Sequence, residues 1–120
     1  MLIGYLRDLP PIATSLRRLL SDGHVLATSA VNIAEVERGL RPAERKRATA
    51  FLDALRFLGT DRGAARRAGR YQAQFAATGR TLHAADALIA GTARVHGAIL
   101  LTHNTADFPM PDVRVELPSG

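Results

Sequence analysis

The chain has 120 residues, a net charge of +5, 47% hydrophobic and 22% charged residues, and a mean hydropathy of −0.01. That balance builds one ordinary globular core, which excludes a two-domain architecture and a disordered tail, and no apolar run approaches the roughly 20 residues of a membrane span. The absence of cysteine excludes disulfides, thiolate zinc sites and a cysteine nucleophile.

The amino terminus lacks a basic segment followed by an apolar run and a small-residue cleavage site, so a cytoplasmic location is expected. Positive charge favours polyanionic partners. Lys46 is the only lysine, however, and an arginine- and alanine-rich chain also reflects a GC-rich coding bias, so charge alone does not assign nucleic acid.

In chain order, Leu2 to Leu6 and Ile12 to Leu20 carry helical spacing, broken at Pro10 and Pro11. Ser21, Asp22 and Gly23 make a turn. His24 to Ala27 reads as a strand, Thr28 and Ser29 as N-cap types, and Ala30 to Leu40 as a helix with Ile33, Val36 and Leu40 on one side. Gly39 and Pro42 end it, and Ala43 to Leu55 forms the next helix on a stripe of Ala48, Phe51, Leu52 and Leu55. Phe57 to Gly59 is a brief strand. Asp61 to Ala77 is helical and stops at Gly79; its Arg62, Arg66 and Arg70 align as a basic ridge, a pattern shared by any solvated helix face. Thr81 to Val95 is apolar on nearly every side, as in a helix buried between layers, and ends at Gly97. Ala98 to Thr102 and Val113 to Leu117 are strands. Alternating strands and helices predict an α/β layer architecture with a mostly parallel sheet flanked by helices.

In such sheets ligands bind beyond the carboxyl ends of the strands. Three acids fall there: Glu35 in the helix after the first visible strand, Asp86 in the first turn of the apolar helix, and Asp107 after Ala98 to Thr102. Each has an ordinary alternative. Asp86 complements the helix dipole, worth about 0.3–1 kcal/mol; Glu35 is a solvated helix residue; Asp107 is an Asx-turn residue before Phe108 and Pro109.

Together, the runs Ala27-Thr28-Ser29-Ala30-Val31-Asn32-Ile33-Ala34-Glu35-Val36-Glu37-Arg38-Gly39-Leu40, Gly79-Arg80-Thr81-Leu82-His83-Ala84-Ala85-Asp86-Ala87-Leu88-Ile89-Ala90 and Leu101-Thr102-His103-Asn104-Thr105-Ala106-Asp107-Phe108 resemble PIN-domain ribonucleases of the VapC toxin type. The resemblance spans essentially the whole chain and implies a three-layer PIN-like fold. It also implies an acid cluster that binds Mg²⁺ or Mn²⁺ and cleaves RNA, with Glu35, Asp86 and Asp107 as catalytic metal ligands and Asn104 as a competing candidate in the last loop. Hard divalent cations take oxygen ligands, and Mg²⁺ keeps several waters while using few carboxylates. A cognate antitoxin, a homodimer and no membrane partner are implied as well.

The chain departs from the family at its start. The family opens with a buried strand ending in Asp, whereas this sequence begins Met1-Leu2-Ile3-Gly4-Tyr5-Leu6-Arg7, with Met1 aligned to the usual valine. The expectation is a mis-called start, a missing first central strand and a missing first acid, which Asp8, beyond the first helix, does not replace. The rival is a PIN relic that binds antitoxin or RNA without cleaving. A zinc hydrolase using His24, His83, His96 and His103 is disfavoured because none of these pairs has the i, i+4 spacing of a helical zinc motif. Aromatic residues make up only 5% of the chain, with no tryptophan, so base stacking is not expected to dominate recognition. Arg62, Arg66, Arg70, Arg17, Arg18 and Arg80 are candidates for backbone positioning, with none singled out.

Overall fold

The computed structural model describes residues 3–6 and 23–117. The elements are β1 (Ile3–Leu6), β2 (Val25–Ser29), α1 (Ala30–Gly39), α2 (Pro42–Ala54), β3 (Arg56–Leu58), α3 (Arg62–Ala76), α4 (Ala84–His96), β4 (Ile99–Leu101), a 3-10 turn (Thr105–Asp107) and β5 (Val115–Glu116). The five strands form one parallel sheet in the order β3-β2-β1-β4-β5. The predicted α/β class with a mostly parallel sheet is the observed one.

The first central strand is present. Ile3 to Leu6 pairs with β2 on one side and β4 on the other, with Tyr5 opposite both Ala27 and Leu100. The expectations of a helix over Leu2 to Leu6 and of an absent strand are therefore both corrected. A short apolar run has no period long enough to separate a helical turn from a strand; here a sheet gap flanked by two apolar strands selects the extended form. Ile12 to Leu20, the turn residues Ser21 and Asp22, and Asp8 lie outside the described residues.

Tyr5, Ala27 and Leu100 face a core built with Tyr71, Ile89, Ala90 and Ala93 of α3 and α4. On the opposite face Leu26 and Leu101 pack with Phe51 of α2 and with Leu55. The result is three layers, with α3 and α4 on one side of the sheet and α2 on the other. Pro42 does not end α1 but begins α2, where its missing N–H is no loss, and Glu44 reaches back to accept from the Arg41 N–H at 3.1 Å. Asp61 caps α3 by accepting from the Ala64 N–H at 2.8 Å. Gly97, at φ +63°, closes α4 in the left-handed region that suits glycine. Ala87 and the run Ile89 to Ala93 are buried, as the apolar pattern of that helix requires.

Candidate active site at the carboxyl edge of the sheet

A parallel sheet with order 3-2-1-4-5 reverses direction of winding between β1 and β4, and the carboxyl ends of its strands open onto one crevice there. α1 begins directly at the end of β2, so its first turns rise from that edge. α4 precedes β4 and runs against it, so its amino-terminal turn returns to the same edge. α1 and α4 touch. Glu35 and Asp86, each half-buried, lie on these two helices, and each is already engaged in a polar or electrostatic interaction. One Glu35 oxygen, Oε1, is buried. Asp107 closes the 3-10 turn that follows β4 and is exposed, as is Asn104 just before it.

All four predicted residues thus belong to the carboxyl edge, though not to one tight cage: among the described residues no group of three or more His, Asp or Glu stands close enough to hold a metal. The donors are nevertheless hard oxygens of the kind that Mg²⁺ and Mn²⁺ take, and Mg²⁺ retains several waters beside one or two carboxylates. The donor chemistry fits such an ion; an all-protein site is not what these residues build.

Beneath the edge lies a buried polar layer that the sequence patterns did not reveal. The Ser29 hydroxyl, at the N-cap position of α1, makes no capping bond; it pairs with the Tyr5 hydroxyl on β1. The Asn32 amide donates to Thr28 Oγ1 at 2.8 Å, and Thr102 Oγ1, at the end of β4, accepts from the Asn104 N–H at 3.1 Å. Thr28, Ser29, Asn32 and Thr102 are at most 2% exposed. The available signal was the clustering of hydroxyls at strand ends. This layer ties β1, β2 and α1 together below Glu35 and fixes the loop that leads to Asp107. The Arg80 guanidinium donates to the Ala106 carbonyl, pinning the α3–α4 connection onto the Asp107 turn. Of the four histidines, His96 bonds through Nε2 to the Gly59 carbonyl at 2.8 Å, while His83 precedes α4 and His103 is exposed.

The PIN domain family model matches residues 1–112. Ribonuclease VapC19 of Mycobacterium tuberculosis is 34% identical over 113 residues, covering 93% of this chain and 90% of that protein. Ribonuclease VapC10 of the same organism is 34% identical over 110 residues, 92% of this chain and 82% of the relative. The fold matches that of VapBC2 from Rickettsia felis, solved bound to a DNA fragment from its promoter, with a TM-score of 0.79 at 21% identity over 97% of this chain and 98% of that one. A parallel sheet of this order, with acids from two touching helices at its carboxyl edge and a family match over nearly its whole length, places the chain in the PIN domain family.

Proposed function

We propose that the protein is a divalent-metal-dependent endoribonuclease, the toxin of a toxin–antitoxin pair. The observation that carries this reading is the placement of Glu35 and Asp86 on adjoining helices at the carboxyl edge, in a chain related to proteins named ribonucleases. Glu35 and Asp86 would hold Mg²⁺ or Mn²⁺ directly, with Asp107 reaching it through water. Bound there, such an ion polarises a phosphoryl oxygen and lowers the pKa of an attached water. Asn104 contributes a neutral amide that orients water without adding charge. The polar layer of Tyr5, Ser29, Thr28 and Asn32 keeps α1 in register with β1 and β2, so that Glu35 meets a metal without first reorganising. Arg80 holds the Asp107 turn against the α3–α4 connection. A cognate antitoxin, a homodimeric state and a cytoplasmic location complete the proposal.

The absence, among the described residues, of a three-carboxylate group favours one alternative: a PIN module that binds RNA or antitoxin without cutting. Cleavage of an end-labelled structured RNA in Mg²⁺, Mn²⁺ or EDTA separates the two. The nuclease reading expects metal-dependent products that EDTA abolishes, and an Asp86→Asn rate lower by more than about a hundredfold, beyond the 10–100-fold typical of losing an outer-shell partner. Metal-independent cleavage, or none by a folded protein, refutes it.

A further inference from the structure

A groove of about 290 Å³ runs along α3, and Glu35, Asp86 and Asp107 are not part of its lining. Arg67, Arg70 and Gln74 line it from the helix, Thr78 lines it from the turn that follows, and Asp112 closes the far wall. Tyr71, 3% exposed, and the half-buried Phe75 give it an apolar floor against Pro111. Asp112 is the one carboxylate in this lining, and it is fully occupied. It accepts the Tyr71 hydroxyl at 2.8 Å and faces Arg67 Nη1 and Arg94 Nε, each at 3.5 Å. Two guanidinium groups share that single charge, and Arg70, exposed on the rim, makes no ion pair among the described residues. The groove therefore carries a surplus of positive charge above an aromatic floor.

Its ends fix its direction. From Arg67 to Gln74 the helix advances about 10 Å at 1.5 Å per residue, and Thr78 lies in the turn just past its end at Ala76. Beyond Thr78 the chain turns through Gly79 to Arg80, which donates to the Ala106 carbonyl beside Asp107. One end of the groove thus leads to the turn that carries a predicted site residue.

Guanidinium groups beside a partly exposed aromatic ring suit an unpaired nucleotide: the base stacks and the phosphate takes charge-assisted hydrogen bonds. A peptide would gain less, because Gln74 and Thr78 are the only neutral hydrogen-bonding side chains on the rim. We propose that this groove is an RNA subsite, holding one unpaired base against Phe75 and Pro111 with the adjoining phosphate on Arg70. The proposal rests on the ribonuclease reading and extends it to how single-stranded RNA reaches the carboxyl edge.

The test is fluorescence anisotropy of a 5′-labelled oligouridine in EDTA, with cleavage of the same RNA in Mn²⁺ measured alongside. Arg70→Glu is compared with Arg66→Glu, one turn away on the exposed ridge and outside the groove lining. The expected result is a dissociation constant raised about tenfold by Arg70→Glu and less than about threefold by Arg66→Glu, with a shallower salt dependence for the former. In cleavage, Arg70→Glu raises KM and leaves kcat unchanged. Phe75→Leu, which keeps apolar bulk but removes the ring, weakens binding about fivefold at matched melting temperature. Equal losses for the two arginine variants reduce the effect to general charge and overturn the proposal. Unchanged RNA affinity with an altered oligomeric state assigns the groove to protein contact and likewise overturns it, while leaving the ribonuclease reading intact if cleavage persists. Selective RNA binding through Arg70 with no cleavage in any metal sustains the subsite and defeats the ribonuclease reading instead.

Discussion

Tyr71 shows how one residue couples the core to the basic face. Burial of its ring, then the hydrogen bond to Asp112 and that carboxylate's charge, push its phenol well above the ordinary value near 10, while Arg67 and Arg94 pull the other way. The folded state therefore holds the phenol proton more tightly than the unfolded chain does. Its contribution to stability is complete below about pH 10 and is lost as pH climbs above it, because the unfolded chain then sheds the proton first. Melting temperatures from about pH 8 to about pH 11 should fall less steeply for Tyr71→Phe than for the parent chain; parallel profiles would contradict this account. None of this hub was legible in the sequence, where Tyr71 and Asp112 are 41 residues apart. The same holds for Ser29: local pattern marks it as a cap, yet a strand distant in sequence takes its hydroxyl.

At the scale of elements, four helices and four of the five strands were legible, and β1 was not. Asp61, Gly97 and the apolar run of α4 each announce themselves through local chemistry, so α3 and α4 lie within a few residues of their expected bounds. β1 spans four residues, too few for a period to register, and its pairing is decided by neighbours remote in the chain. The tight seam between α3 and α4 is also unreadable from pattern. A Cβ placed on Gly91 of α4 would stand 2.4 Å from the Ala64 carbonyl oxygen of α3 and 3.3 Å from the Ala68 nitrogen. Ala64 and Ala68 are buried and carry the smallest side chains that still fill the seam. Backbone cannot yield as a flexible side chain does, so Gly91→Ala should cost about 1–3 kcal/mol, read as a lower urea midpoint with an unchanged slope. A neutral result would mean that the two helices separate without loss.

At the scale of the whole molecule, topology assembles what local chemistry cannot. Glu35, Asp86 and Asp107 come from distant parts of the chain, and only the parallel winding of β2, β1 and β4 brings their elements to one edge. That edge was legible, because residues following strands in an alternating pattern must gather there. That the three carboxylates do not form one close group was not, since the place of Asp107 depends on how the loop after β4 is held by Thr102 and Arg80. The groove on α3 was visible only as a basic ridge. Its other wall comes from the residues just before β5, which no helical pattern could supply.

The central claim is that the carboxylates of α1 and α4 hold a divalent ion, and Mn²⁺ titration followed by electron paramagnetic resonance tests it most directly. The account predicts one bound Mn²⁺ per chain, displaced by excess Mg²⁺, and lost in both Glu35→Gln and Asp86→Asn at unchanged melting temperature. Full Mn²⁺ uptake by either folded variant, or none by the parent chain, would contradict it.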